Sequence, residues 1–153
     1  MTKASSLDTQ TYAIIGCAMR VHRELGNGFH EAVYREAILE VLTERIVPFQ
    51  SEVQLPIRFN GHLLRTRYRA DLVCFGDIIV ELKALTRLGP PEHAQLINYI
   101  KASGLSRGLL INFGNRRLEY RRFVGERAPS VVIPVSSVDC SCHDHPSDVD
   151  RQV

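Results

Sequence analysis

Residues Tyr68–Ala84 read YRADLVCFGDIIVELKA. Ile78, Val80 and Leu82 recur with period two and predict a core strand. Yet Glu81 and Lys83 bracket Leu82, and burying a charge without a partner is costly enough that chains normally avoid it or pair it. On a strand, Glu81 and Lys83 point one way and Leu82 the other. With Tyr68–Val73 as a second strand, Asp71 shares a face with Arg67 and Arg69. Pairing the two strands brings Asp71 beside Glu81. Two carboxylates at close range repel, and one pKa rises unless a cation sits between them. A divalent ion meets that need, and hard oxygen donors of this kind suit magnesium or manganese. Lys83, one step away, is then placed to orient an attacking hydroxide or to stabilise charge on a phosphate. The same residues also suit an internal salt bridge, Lys83 with Glu81 or Asp71, and Glu-x-Lys is too common to decide between the two.

Upstream, Ile14, Ile15, Ala18, Met19 and Val21 recur with helical spacing between Leu7 and Glu24. LGNGF, residues 25–29, then offers Gly26 and Gly28 as a helix stop. A second helix is expected from about Phe29 to Arg45, with Val33, Ala37, Ile38 and Val41 on its inner face. After Pro48 the pattern turns to alternation. VQLPIRF and HLLRTRYRADLVCF flank Asn60-Gly61, the dipeptide favoured in type I′ hairpin turns. Downstream of Lys83, LGPPEHAQLINYIKASG places two prolines near a helix start, Leu96, Ile97 and Ile100 along it, and Gly104 at its end. RGLLINF suits a buried strand, RRLEYRRFV an edge strand, and VVIPV a further short piece. The order helix, helix, three strands, helix, strand, strand predicts one α/β domain with a mixed sheet and helices on its faces.

The chain has 153 residues, 44% hydrophobic and 24% charged, with a net charge of +2. That suits one globular domain. No apolar run approaches the roughly 20 residues of a membrane span, and MTKASSLDTQ has no apolar signal core, so a cytoplasmic location is expected. Cys17 and Cys74 sit in apolar segments as small core residues. Cys140, Cys142, His143 and His145 lie in a polar tail whose compact spacing lacks the two separated pairs of a structural zinc site. It is assigned no function. The domain is expected to span 1–125, with 126–153 a largely disordered extension.

Two further patterns bear on Glu81 and Lys83. In GNGFHEAVY, Gly28, Glu31 and Tyr34 form GxxExxY at a helix start, with Glu31 and Tyr34 on one face. In EHAQLINYI, Gln95 and Tyr99 are four apart on the helix that follows the Glu81–Lys83 strand. Together with VHRELGNGFHEAVYREAIL, YRADLVCFGDIIVELKAL and GLLINFG, these resemble the GxxExxY proteins, a branch of the PD-(D/E)XK nuclease superfamily. The likeness runs from about Ile14 to Phe123 with its four motifs in order. It implies a restriction-endonuclease-like core, a four-stranded mixed sheet flanked by helices, and metal-dependent cleavage of phosphodiester bonds. Asp71 then matches the motif aspartate, and Glu81 and Lys83 its (D/E)xK. Glu31 matches the helix glutamate that completes the metal shell directly or through water, Gln95 the following glutamine, and Tyr99 its companion. The usual proline before the aspartate is Ala70 here, and that proline is not a ligand.

The resemblance thus implies a magnesium- or manganese-dependent nuclease. Asp71, Glu81, the Leu82 carbonyl and Glu31 hold the ion. Lys83 and Gln95 complete the catalytic set, and Tyr34 and Tyr99 support it. The expected partner is nucleic acid, DNA ahead of RNA. A homodimer would let two sites act on two strands, although no interface signature is visible. Arg65, Arg67, Arg69, Arg116, Arg117, Arg121 and Arg122 are candidates for contact with the nucleic-acid backbone; as a bland alternative they are a solvated strand face. His22 and His93 are candidates for phosphate contact or ordinary hydrogen-bonded histidines, and Asn112 for a bond within its loop. The alternative function is a module of the same fold that binds nucleic acid or a partner without turnover, or a toxin or defence component directed by a partner.

Overall fold

The computed structural model describes residues 4–126. Helix α1 (Ala4–Leu25) and α2 (Glu31–Glu44) precede β1 (Phe49–Phe59), β2 (His62–Cys74) and β3 (Ile78–Lys83). Helix α3 (Pro90–Ser103), β4 (Arg107–Asn112) and β5 (Glu119–Val124) complete the chain. Among the described residues no helix is long and apolar enough to cross a membrane. The VVIPV segment, the Cys140–His145 cluster and all but the first residue of the expected 126–153 extension lie outside them.

The sheet has five strands in the order β1-β2-β3-β4-β5, antiparallel throughout except for the parallel β3–β4 pair. It carries one strand more than the resemblance implied, because the hairpin strand β1 and the edge strand β5 both join it. Asn60 and Gly61 take φ 48° and 77°, the paired positive angles of a type I′ turn. A second tight turn at Phe75 and Gly76 (φ 54° and 66°) joins β2 to β3. The Phe75 N–H, donating to the Pro48 carbonyl at 2.9 Å, helps to hold that aromatic in a backbone region few side chains adopt.

Helices cover both faces of the sheet, so β3 and β4 are buried almost throughout and read as continuous apolar runs. On one side Ile14, Ala18 and Val21 of α1 and Tyr34, Ile38 and Leu42 of α2 pack against Val80, Leu82 and Phe113. On the other, Leu96, Tyr99 and Ile100 of α3 pack against Ile79 and Leu110. Cys17 and Cys74 are free and buried, as expected.

The inner face of α2 is set by Tyr34, Ile38, Val41 and Leu42. Val33, expected on it, is 36% exposed, because the helix turns the neighbouring tyrosine inward instead. Met19 and Ile97 are also exposed: each adjoins the apolar stripe of its helix without lying on it.

Candidate active site

The ladder between β2 and β3 pairs Cys74 with Ile78, Val73 with Ile79 and Leu72 with Val80, and then stops. One step further, Asp71 and Glu81 would face each other. Here the alternation of β2 breaks: Ala70 and Val73 both pack on the α3 side, while Leu72 packs on the α1–α2 side. Opposite Asp71, Glu52 of β1 takes φ 52° and drops out of the register between Ser51–Leu72 and Val53–Ala70. The separating strands are rejoined by side chains. The Asp71 N–H donates to Glu81 Oε1 at 3.1 Å, and the Leu82 N–H donates to Asp71 Oδ2 at 2.9 Å. Each acid thus satisfies a backbone donor that the interrupted ladder would leave open.

The remaining oxygens face cations. Asp71 Oδ1 accepts from Arg35 Nη2 at 2.6 Å, and the same nitrogen lies 3.3 Å from Glu31 Oε1. Lys83 Nζ stands 3.8 Å from Glu81 Oε2. Glu31, Asp71, Glu81 and Lys83 therefore form one chain of contacts at the end of β3, joined through Arg35. Leu82 packs into the core, so Glu81 and Lys83 share the opposite face as period two requires.

Glu81 is only 3% exposed. Burial, and after it the negative charge of Asp71, pushes its carboxyl from the ordinary 4.5 up to about 8, against the opposing Asp71 N–H and Lys83. Burial likewise raises Glu31, with Lys83 opposing and Asp71 adding. Because the folded state holds the Glu81 proton more tightly than the unfolded chain, the stabilisation is fully present below the unfolded value. It is lost as pH rises through the folded one, by up to about 1.4 kcal/mol per pH unit. In chelator, the melting temperature of the protein should fall between about pH 5 and pH 8. Glu81→Gln, which keeps the neutral shape, should flatten that fall. Thermal melts across the range check this, and an equally steep fall in Glu81→Gln would remove Glu81 as its source.

Helix α3 begins with Pro90, its first turn held by Glu92, whose carboxylate accepts from the Gly89 N–H at 2.8 Å. Gln95 Nε2 donates to the Tyr99 hydroxyl at 2.9 Å, and the Tyr99 ring lies 5.0 Å from that of Tyr68. Burial first, and the charges of Glu81 and Asp71 next, push the Tyr99 phenol above its ordinary value, against the Gln95 bond. The pair therefore borders the acids from the α3 side. Tyr34 works from below. Its hydroxyl donates to the Gly26 carbonyl at 2.6 Å, and its ring stacks on Phe113 at 4.6 Å. It fixes the loop that leads into Glu31 and does not touch the acids.

A match to the family model described as PD-(D/E)XK nuclease superfamily runs over residues 8–123. The chain belongs to the PD-(D/E)XK nuclease superfamily. The mixed, helix-flanked sheet is consistent with its nuclease-like fold. Members of that superfamily typically use divalent metals. No curated protein matches the chain. Among solved structures, the crystal structure of SSO0001 is 20% identical over 62% of this chain and 50% of that one, with a TM-score of 0.49. The chain thus spans half the length of that protein.

For a divalent ion of the superfamily kind, the donor chemistry fits. Two carboxylates are locked to each other's strands, and a third, Glu31, reaches Asp71 through Arg35. As the side chains stand, however, no three His, Cys, Asp or Glu groups among the described residues converge to hold an ion. Arg35 takes up Asp71 Oδ1 and Glu31 instead. Sequence reasoning missed this arginine. Its local signal is the four-residue spacing from Glu31, the spacing of a helical ion pair.

The arginine segments lie on opposite sides of β3 and β4, one on β2 and the other around β5. The register brings both to the end of the sheet where β3 stops. Arg65, Arg67 and Arg69 precede Leu72 on the antiparallel β2. Arg116 and Arg117 fall in the turn that follows Asn112, the partner of Lys83. All five are exposed, and Arg69 lies 3.5 Å from Glu52. On β5, Arg121 lies 3.7 Å from Glu119, and the Arg122 guanidinium sits 4.6 Å over the Tyr12 ring. His22 Nε2 is 2.7 Å from the Asn115 carbonyl, and the His93 ring packs near Phe123. Both histidines are engaged in packing within the domain.

Proposed function

We propose that the protein is a magnesium- or manganese-dependent nuclease of the GxxExxY branch, hydrolysing phosphodiester bonds of nucleic acid, DNA ahead of RNA. The supporting observation is the reciprocal lock of Asp71 and Glu81 at the point where β2 and β3 part. The lock sets two carboxyl groups side by side inside the protein, the arrangement of oxygen donors that a divalent ion takes. In this reading Asp71, Glu81, the Leu82 carbonyl and Glu31 hold the ion. When bound, a divalent ion polarises the phosphate and lowers the pKa of water. Lys83 orients the attacking water and neutralises charge that builds on the phosphate. Gln95 steadies Tyr99 beside the acids, and Tyr34 steadies the loop before Glu31. Arg65, Arg67, Arg69, Arg116 and Arg117, with Arg121 and Arg122 further along β5, meet backbone phosphates, contacts that position a nucleic acid without reading its sequence.

The test is incubation of the purified protein with plasmid, single-stranded DNA and RNA in Mg²⁺ or Mn²⁺, beside Asp71→Asn. Wild type should cut at least one of them. Asp71→Asn, which keeps the side chain's shape and loses its charge, should lose the cleavage and weaken Mn²⁺ binding by calorimetry by about ten-fold or more. The rival reading is a binding module without turnover, favoured by the pairing of Asp71 and Glu31 with Arg35. Failure of wild type both to cut and to bind either ion would leave that module standing and end the nuclease reading.

A further inference from the structure

We propose that Arg35 is an exchangeable counter-ion: its guanidinium occupies the acids while no metal is bound, and must leave Asp71 and Glu31 when a divalent ion enters. The inference rests on the metal-dependent reading above and adds a determinant of ion affinity to it. Arg35 rises from α2 one turn after Glu31, which brings its head between that acid and the β2 aspartate. One nitrogen, Nη2, serves both acids, at 2.6 Å to Asp71 Oδ1 and 3.3 Å to Glu31 Oε1. The engagement is lopsided. A guanidinium bound for structure alone tends to present its fork to a carboxylate through two parallel bonds. Here the buried Nε has no partner. Arg35 is thus held by a single atom, on oxygens that a metal would need.

Arg35 Nη2 and a divalent ion compete for Asp71 Oδ1, so ion binding works against the Arg35 contact, and the protein's affinity for the ion is reduced by whatever that contact contributes. A charge-assisted hydrogen bond is strong enough to shift the equilibrium by roughly ten-fold or more. The guanidinium is also the cation closest to Asp71 among the described ion pairs, whereas the ion pair of Lys83 is with Glu81. Among the described residues the acids do not converge on one point, and the Arg35 guanidinium stands between Glu31 and Asp71.

Titration of wild type, Arg35→Gln and Arg35→Lys with Mn²⁺ alone by calorimetry tests it, with melting temperatures recorded with and without the ion. Arg35→Gln should bind Mn²⁺ about ten-fold or more tightly than wild type, melt lower in chelator and gain more on adding Mn²⁺. Arg35→Lys, which keeps the charge, should stay near wild-type affinity. If Arg35→Gln binds Mn²⁺ no more tightly than a wild type that does bind it, the counter-ion role is wrong while the metal site stands. If neither binds it, both readings fall. If Arg35→Gln alone binds, the counter-ion role is established at its strongest.

Discussion

Lys83→Met should lower Mg²⁺-dependent cleavage by about a hundred- to a thousand-fold, the loss typical of removing one preorganised group that stabilises transition-state charge. Melting temperature should hardly move. The asymmetry follows from the surroundings of the side chain. Lys83 is the last residue of β3, its head 3.8 Å from Glu81 Oε2 and its side chain 16% exposed. That distance leaves a loose ion pair, and the stem packs at the strand end, where methionine replaces it with little change in volume. Glu81 does not depend on the ammonium to stay buried, because its raised proton affinity lets it carry a proton at neutral pH in the absence of metal. An internal salt bridge would behave in the opposite way, since stripping one partner from a buried pair leaves a costly lone charge. Cleavage assays beside circular-dichroism melts separate the two: a large drop in melting temperature with cleavage intact would make Lys83 structural.

The separation between what was legible and what was not follows the range of the interactions. Asn60-Gly61 could be read because positive φ at both turn positions restricts the choice of residue locally. Glu81 and Lys83 stood out because charge interrupts an apolar strand of period two. The phase of α2 was only half legible: Val33 and Tyr34 both suit an inner face by local spacing. The decision lies with Phe113 and the Gly26 carbonyl, which meet Tyr34 only after folding. Arg35 was illegible for the same reason, since its closest partner lies 36 residues further on. The break in alternation at Asp71 is hidden too. Nothing near Glu52 in the chain announces the positive φ it takes opposite Asp71.

Gly114→Ala should destabilise the protein by on the order of 4 kcal/mol or more, beyond the usual range for a single substitution. It should also take the candidate site with it. A Cβ at this position would lie 2.1 Å from the Leu85 carbonyl oxygen and 2.6 Å from the Leu85 nitrogen, backbone atoms that no rotamer change can move. The crowding has a purpose in the fold. Asn112, fully buried at the end of β4, accepts from the Leu85 N–H at 2.8 Å and donates to the Leu85 carbonyl at 2.9 Å. Its Oδ1 also accepts from the Gly114 N–H at 3.1 Å. The Phe113 N–H donates to the Lys83 carbonyl at 2.8 Å. These bonds draw the β4–β5 turn against the segment leaving Lys83, and only a residue without a side chain fits between them. The turn must therefore yield or the end of β3 must shift, and either displaces Lys83 from Glu81. Asn112→Asp is the softer companion: the shape stays, but the donor to the Leu85 carbonyl is lost and a charge appears beside Glu119, which now accepts from the Asn112 amide at 3.3 Å. Chemical melts of both variants, with cleavage measured on whatever remains folded, check the claim. A Gly114→Ala protein as stable as wild type would mean that the latch is not what fixes the end of β3.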